Sequence, residues 1–359
     1  VRFTFLLPSD DLTGGNRVVA TYAKNLIARG HQVTVVCNAP DRISLREQLR
    51  ALGVGQWRAL RDRMQLKPGH VALSGVPLKV LERARPFTAD DLPDADVLIA
   101  TWWETAVWMH SMPPSKGRKV HLIQDYEVWT GGDIRSAVHA ALRLPNHKIV
   151  ISNELKRTLE TEVGDIAVTV VPNAVDLLQF DAPSRDRAEA PTVGFMYGKT
   201  PRKAADLYAH ACELARLQLP NFQVLAFGAD LPTNKLPLPT GTEFFLRPPQ
   251  TELASIYARC DAWLFGSRID SFGLPILEAM ACRTPVIAVP VGAATDLIAG
   301  GGGVLVPRES PQAMADAIVR LCTQAAQDWK QMSDCAHATA HGYSWKDATQ
   351  KLLGVVQVA

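Results

Sequence analysis

Cysteine is sparse in this chain and scattered. Cys37, Cys212, Cys260, Cys282, Cys322 and Cys335 make no C-x-x-C motif, which argues against a zinc finger or a disulfide framework and fits reduced thiols in a cytoplasmic protein. A surplus of one charge is missing too. Thirty-eight Lys and Arg against 36 Asp and Glu leave a net +2, so the chain as a whole has no basic surface for wrapping nucleic acid. No apolar run approaches the ~18 residues of a membrane span. The opening Arg2-Phe3-Thr4-Phe5-Leu6-Leu7 is strand-like from the outset, and no secretory leader is expected from it.

What is present is ample apolar material: 47% of 359 residues are hydrophobic and 21% charged. At ~150 residues per domain this suggests two domains, each able to bury its own core. An apolar strand at 3–7 runs through a loop with Gly14 and Gly15 into a helical stretch with Val18, Val19, Tyr22, Ala23, Leu26 and Ile27 at i, i+3/i+4 spacing. Gly30 ends that helix and 33–37 is a second strand. Such a βαβ unit implies parallel strands with ligands at their carboxyl ends. Further strands are expected at 97–99, 120–123, 148–151 and 168–171.

Residues 181–190 are polar, charge-rich and interrupted by Pro183, and read as a linker closed by Pro191. The alternation then restarts. Strands are expected at 193–197, 222–227, 243–246, 262–265, 286–289 and 304–306, with helices at 204–217, 252–260, 276–281 and 312–323. The expected division is a first domain over 1–180, a linker over 181–191, a second domain over 192–342, and a last helical segment over 343–359. The fold class is α/β: two doubly wound Rossmann-like domains facing across a cleft, the default place for a ligand.

The most informative stretch runs from Ser267 to Val286. It reads as a strand end, a glycine loop with Asp270, Ser271, Phe272 and Gly273, and a helix whose first turn holds Leu274 and Pro275. The free N–H groups and positive dipole end of such a helix suit a phosphate or a sugar hydroxyl. Glu278, about one turn in, would lean its carboxylate back toward that end, where it can accept from two ribose hydroxyls. Asp270 either accepts a sugar hydroxyl or caps the helix.

These residues resemble the family 4 retaining glycosyltransferases of GT-B fold, whose signature is E-x7-E with F-G-L-P between and A-M-A-x-G-x-P-V after. The chain keeps Phe272-Gly273-Leu274-Pro275 and Glu278-Ala279-Met280-Ala281. It has Asp270 in place of the first Glu and Arg283 in place of a Gly. Three more segments follow in the family's order: Gly14-Gly15 with Arg29-Gly30-His31-Gln32-Val33, then Val171-Pro172-Asn173-Ala174-Val175-Asp176, then Tyr343-Ser344-Trp345. The segments 123–127 and 197–202 are most similar to bacterial polysaccharide rhamnosyltransferases.

The resemblance implies front-face retaining transfer from a nucleotide sugar without an enzyme nucleophile, cofactor or metal. The donor site it implies comprises Gly14, Gly15, Lys203, Ser271, Phe272, Gly273, Leu274 and Glu278. Lys199 and Arg202 are the favoured diphosphate ligands, with Asp270 and Asp125 completing the catalytic set. Positive groups aimed at the departing diphosphate should carry much of the catalysis. Asp125 is equally readable as a turn cap. Trp102, Trp103, Glu104 and Gln124 lie at carboxyl strand ends, where aromatic faces and polar groups would meet an acceptor; an adjacent Trp pair also fits one core and one rim residue.

Between 42 and 85 the chain carries ten basic and three acidic residues, a local +7 that leaves −5 elsewhere. Leu45, Leu49, Leu52, Trp57, Leu60 and Met64 recur there at helical spacing, which suits either packing on the domain or docking on an anionic membrane. The expectation is therefore a glycosyltransferase, cytoplasmic and peripheral on the inner membrane face. It would pass a sugar from a dTDP, GDP or UDP donor to a glycan or lipid-linked acceptor in surface polysaccharide synthesis. The alternatives are a non-catalytic glycan- or partner-binding protein of the same fold and a nucleotide-sugar epimerase. A dehydrogenase is disfavoured because the Gly14-Gly15 loop lacks the third glycine of a dinucleotide fingerprint.

Overall fold

A computed structural model describes residues 1–39, 68–129 and 133–357. Two parallel sheets organise the chain. The first contains β1 (Arg2–Leu7), β2 (Gln32–Cys37), β3 (Leu78–Val80), β4 (Val97–Ala100), β5 (Arg118–Ile123), β6 (His147–Val150) and β7 (Val168–Val170), in the order β3-β2-β1-β4-β5-β6-β7. The second contains β8 (Thr192–Tyr197), β9 (Gln223–Gly228), β10 (Glu243–Leu246), β11 (Ala262–Phe265), β12 (Val286–Ala288) and β13 (Gly303–Leu305), in the order β10-β9-β8-β11-β12-β13. Strands buried on both faces read as unbroken apolar runs. Accordingly β4 (VLIA) and β11 (AWLF) are buried at every position.

Both sheets reverse their strand order once, between β1 and β4 and between β8 and β11. A crevice for ligands opens at such a reversal, outside the carboxyl ends of the strands. The loops that leave these four strands are therefore where chemistry is expected. They begin at residues 8, 101, 198 and 266.

The chain divides into two compact units at other points than its composition suggests. One unit holds Val1–Val150, Thr158–Val171 and Thr349–Ala359; the other holds Ile151–Arg157 and Pro172–Ala348. Residues 151–157 and 172–180, assigned by sequence to the first domain, belong to the second. The 181–191 segment belongs to the second unit as well. The expected helix over 252–260 is a 3₁₀ turn, Gln250–Glu252, followed by a short helix, Leu253–Ala258. The helix Ala326–His341 escaped notice in the sequence because its polar face is dominant and its buried residues, Trp329, Ser333, Ala336 and Ala340, include only one large apolar side chain. Ser344 opens the last helix, Trp345–Gln357, through a reciprocal cap: its Oγ accepts from the Asp347 N–H at 3.1 Å and donates to Asp347 Oδ2 at 2.7 Å.

Arg283 sits where the resemblance leads one to expect glycine, and its φ is +59°. A left-handed conformation costs a residue with a Cβ roughly 1–2 kcal/mol. Its side chain offsets this by donating to Asp334 Oδ1 at 2.5 Å and to the Ala182 carbonyl at 3.0 Å.

The amphipathic helices expected around Leu45, Leu49, Leu52, Trp57, Leu60 and Met64 lie outside the described residues. Of the basic groups expected on the same face, Lys79 and Arg85 are already committed. Lys79 Nζ donates to the Asp91 carbonyl at 2.5 Å, and Arg85 grips the Asp91 carboxylate at 2.6 and 2.7 Å. That fork holds the Asp91 carboxyl well below the usual carboxylate range. Among the described residues, no helix is long and apolar enough to cross a membrane.

His121 is a buried polar residue of the first core. It lies 1% exposed in β5, in register with Lys148 of β6, and neither ring nitrogen has a hydrogen-bond partner among the described residues. Burial first, then the Lys148 charge, pushes its pKa down to about 3. The unfolded chain takes up a proton below ~6.5 while the native ring stays neutral. Stability is thus fully present above pH ~6.5 and falls as the pH drops toward 3, by at most ~1.4 kcal/mol per pH unit. The urea midpoint of the protein should fall between pH 7 and 4, and His121→Phe should flatten that slope. An equal slope in the variant would remove His121 as its cause.

Candidate donor and acceptor sites

In the second unit the β8 loop bends through a 3₁₀ turn, Pro201–Lys203. Arg268 pins this turn: its N–H donates to the Arg202 carbonyl at 2.8 Å and its Nη1 to the Pro201 carbonyl at 2.7 Å. Asp206 and Glu309 hold the Arg268 guanidinium from the other side at 2.7 and 2.8 Å, and raise its pKa further. A Cβ on Gly198 would come within 3.1 Å of Lys203 Cγ. Glycine there lets the Lys203 stem lie close against the strand end.

Lys203 Nζ stands 3.3 Å from Asp270 Oδ2, both groups partly buried. Asp270 does not cap the helix. Its Oδ1 accepts from the Phe272 N–H at 3.2 Å, and the residue at the cap position is Gly273. Gly273 has φ +89°, and a Cβ there would meet Phe265 Cζ at 2.9 Å, so both conformation and space demand glycine. The helix Leu274–Ala281 follows with Pro275 in its first turn. Ser152 Oγ donates to the Ser271 carbonyl at 2.8 Å, tying the glycine loop to the 151–157 piece.

Glu278 is only 4% exposed. Tyr257 donates its hydroxyl to Glu278 Oε2 at 2.7 Å, and the Tyr257 ring packs edge-on against Trp263 with centroids 4.4 Å apart. A solvated first-turn acid is thereby excluded. A buried carboxylate oriented by a rigid phenol is an instrument for recognising hydroxyl groups.

Lys199, favoured over Lys203 on sequence, is the more exposed of the two. Its side chain is 47% exposed and its Nζ lies 4.0 Å from Asp230 Oδ1. Arg202 lies in the pinned turn, partly buried. Three contributors went unrecognised in the sequence: Arg268, Tyr257 and Glu154. Burial raises the Glu154 pKa, opposed by Arg308, Arg157 and the Gly292 N–H. An arginine three places after β11 was the visible signal for the first of these. The other two had none.

In the first unit Gly14 and Gly15 open the helix Gly14–Ala28. A Cβ on Gly14 would meet nothing within 4 Å, and one on Gly15 would meet the Gln124 side chain at an ordinary 3.5 Å. Among the described residues, packing therefore does not require glycine at either place. Asp125 is held at both oxygens, by the Tyr126 N–H and by Trp129 Nε1, each at 2.9 Å. Trp102 stands edge-on to Trp129 with centroids 6.1 Å apart. Trp102, Trp103 and Glu104 are all half-buried, so the tryptophans do not divide into one core and one rim residue. The Trp103 N–H donates to Glu127 Oε2 at 2.8 Å. Glu127, 3% exposed, has its pKa raised well above the carboxylate range by burial, with Asp125 and Glu104 adding to the effect. Three tryptophans and three acids thus meet outside β4 and β5.

Comparison with known proteins finds relatives for both halves of the chain. A family model described as "Glycosyltransferase Family 4" matches residues 12–178, and one described as "Glycosyl transferases group 1" matches 190–324. A D-inositol 3-phosphate glycosyltransferase 1 of Catenulispora acidiphila is 28% identical over 285 residues, 78% of this chain and 59% of that one. A D-inositol 3-phosphate glycosyltransferase of Mycobacteroides abscessus is 34% identical over 180 residues, 46% of this chain and 39% of its own. The chain spans about half the length of these curated relatives, and they are inositol-phosphate enzymes rather than the rhamnosyltransferases expected from sequence.

Among solved structures, Anabaena Alr3699/HepE in complex with UDP-glucose superposes with a TM-score of 0.74 at 19% identity, covering 100% of both chains. Sucrose-phosphate synthase from Thermosynechococcus elongatus gives 0.71 at 16% identity, covering 99% of this chain and 98% of that one. These last two likenesses concern the fold.

Proposed function

Because the chain belongs to the family 4 glycosyltransferases of GT-B fold, we propose that it moves a hexosyl group from a nucleoside diphosphate sugar to an acceptor hydroxyl. UDP sugars are the first donors to try, since the superposable Anabaena protein is described with UDP-glucose. The observations that carry this reading are the buried Glu278 carboxylate, held by Tyr257 one turn into the Leu274–Ala281 helix, and the Lys203–Asp270 pair on the loops that leave β8 and β11. Glu278 takes the ribose hydroxyls. Lys203 and the first N–H groups of the Leu274–Ala281 helix take the diphosphate, with Arg202 following in the same turn. Asp270 takes a hydroxyl of the transferred sugar.

In the reaction the bond between the anomeric carbon and the diphosphate oxygen breaks, and the acceptor oxygen bonds to the same face of that carbon. The acceptor proton passes to the released diphosphate. Negative charge growing on the diphosphate meets a positive group already in place, which is the cheapest kind of stabilisation because little reorganises.

For the acceptor, the aromatic and acidic strand end of the first unit favours a neutral polyhydroxyl surface, a glycan or the sugar of a glycolipid. Trp102 and Trp103 would stack on sugar faces and Glu104, Asp125 and Gln124 would accept or donate to hydroxyls. The names of the curated relatives make a phosphorylated inositol the comparison acceptor; three acids near the site weigh against it.

The test is a melting screen with UDP, GDP, dTDP and ADP. A diphosphate at a hundredfold excess over its Kd should raise Tm by about 3 °C or more. Silence with all four removes the reading. Consumption of the donor sugar with no glycosylated product would instead favour an epimerase.

A further inference from the structure

The long helix Ala326–His341 ends in His337-x3-His341, and nothing in the proposed transfer uses these imidazoles. Side chains four apart on a helix share a face, and here the two rings lie 4.0 Å apart between centroids. Asp181 completes the group. Its Oδ1 is 2.9 Å from His337 Nε2, and one ligand atom from each of the three residues falls within 4.8 Å of the others.

We propose that Asp181, His337 and His341 bind a divalent transition ion of the zinc type, which ties the 181–184 segment to the Ala326–His341 helix. Four observations support this. First, His341 Nδ1 lies 2.9 Å from the His337 carbonyl. Donating its N–H there leaves the lone pair on Nε2, the orientation that a metal-bound histidine commonly receives from a backbone oxygen. Second, His337 Nε2 and Asp181 Oδ1 face each other at 2.9 Å, so an ion bound by both displaces to solvent the proton that such a contact shares. Third, His341 stands in the last turn of the helix, where the macrodipole favours positive charge.

Fourth, the carboxylate comes to the helix already fastened. Arg283 Nε donates to the Ala182 carbonyl at 3.0 Å while its Nη1 holds Asp334 of the helix at 2.5 Å, and Lys330 Nζ of the helix donates to Ser184 Oγ at 2.9 Å. The site therefore needs little ordering on binding. Ligands on one tetrahedral zinc sit about 3.4 Å apart, from bonds of ~2.05 Å, so modest side-chain rotation closes the present spacing. Two imidazoles and one carboxylate suit Zn²⁺, Ni²⁺ or Cu²⁺ and not Mg²⁺ or Ca²⁺, which prefer all-oxygen shells. A fourth position remains for water.

The experiment uses the full chain stripped with EDTA and titrated with ZnCl₂ in a calorimeter, with Tm followed in parallel. Saturable one-to-one binding is expected, raising Tm by about 3 °C or more at a hundredfold excess over Kd. His337→Ala and His341→Ala should each weaken binding at least tenfold, Asp181→Asn less, and MgCl₂ should leave Tm unchanged. His341 and Asp181 are exposed, and unchanged Tm of the stripped variants verifies their folding. No saturable zinc binding, or equal binding by His341→Ala, overturns the proposal. The readouts need no nucleotide or sugar, so this result and that of the nucleotide screen stand independently.

Discussion

Glu278→Ala is expected to weaken nucleotide binding at least about 100-fold while the protein stays folded. Two charge-assisted hydrogen bonds to a ribose are each worth ~1.5–3 kcal/mol, so a 100-fold loss, about 2.7 kcal/mol, lies at the low end. The substitution also strands the buried Tyr257 hydroxyl, which donates to Glu278 Oε2 at 2.7 Å. An unsatisfied buried donor costs ~1–3 kcal/mol, and Tm should fall accordingly. Glu278→Gln separates the two effects. It keeps an acceptor for Tyr257 and should recover most of the lost stability, yet regain little affinity because the charge is gone. Calorimetric titration with the nucleotide selected by the screen, beside melting curves of both variants, reads this directly. Unchanged affinity in Glu278→Ala would return the residue to a purely structural role.

Lys203→Ala should lower kcat by about 100- to 1000-fold, the range found when a preorganised group facing transition-state charge is removed. Lys199→Ala should cost less than tenfold. The two lysines differ by only four positions, but Lys203 Nζ lies 3.3 Å from Asp270 in a partly buried setting whereas Lys199 is 47% exposed beside Asp230. Charge acts more strongly where water is excluded, and the pinned turn holds Lys203 near one geometry. Initial rates of sugar transfer for both variants decide between them. A larger loss at Lys199 would place the diphosphate nearer the Asp230 side of the turn.

The architecture was legible because parallel strands buried on both sides announce themselves as short apolar runs such as Val97-Leu98-Ile99 and Ala262-Trp263-Leu264-Phe265. The glycine loop and helix of 270–278 were legible as well, since Gly273, Pro275 and Glu278 act through local geometry. The helix Ala326–His341 was not, having a mostly polar sequence whose burial rests on small residues and Trp329. Nor were the unit boundaries, because composition marks where a chain is polar and not where its contacts change partners. Residues 151–157 leave the first unit and return without any break in pattern.

By itself, then, the amino-acid order determined two βα-repeating halves, a helix N-terminus fit for an anion, and the acids and bases near it. All of these follow from residues within a few positions of one another. Tertiary structure alone decided which of those groups lie together. Lys203 meets Asp270 across 67 positions, Tyr257 orients Glu278 across 21, and Asp181 reaches His337 across 156. Periodicity carries no information over such separations. Only the packing of strands, by bringing their carboxyl ends to one edge, sets Lys203 3.3 Å from Asp270 and Lys199 4.0 Å from Asp230.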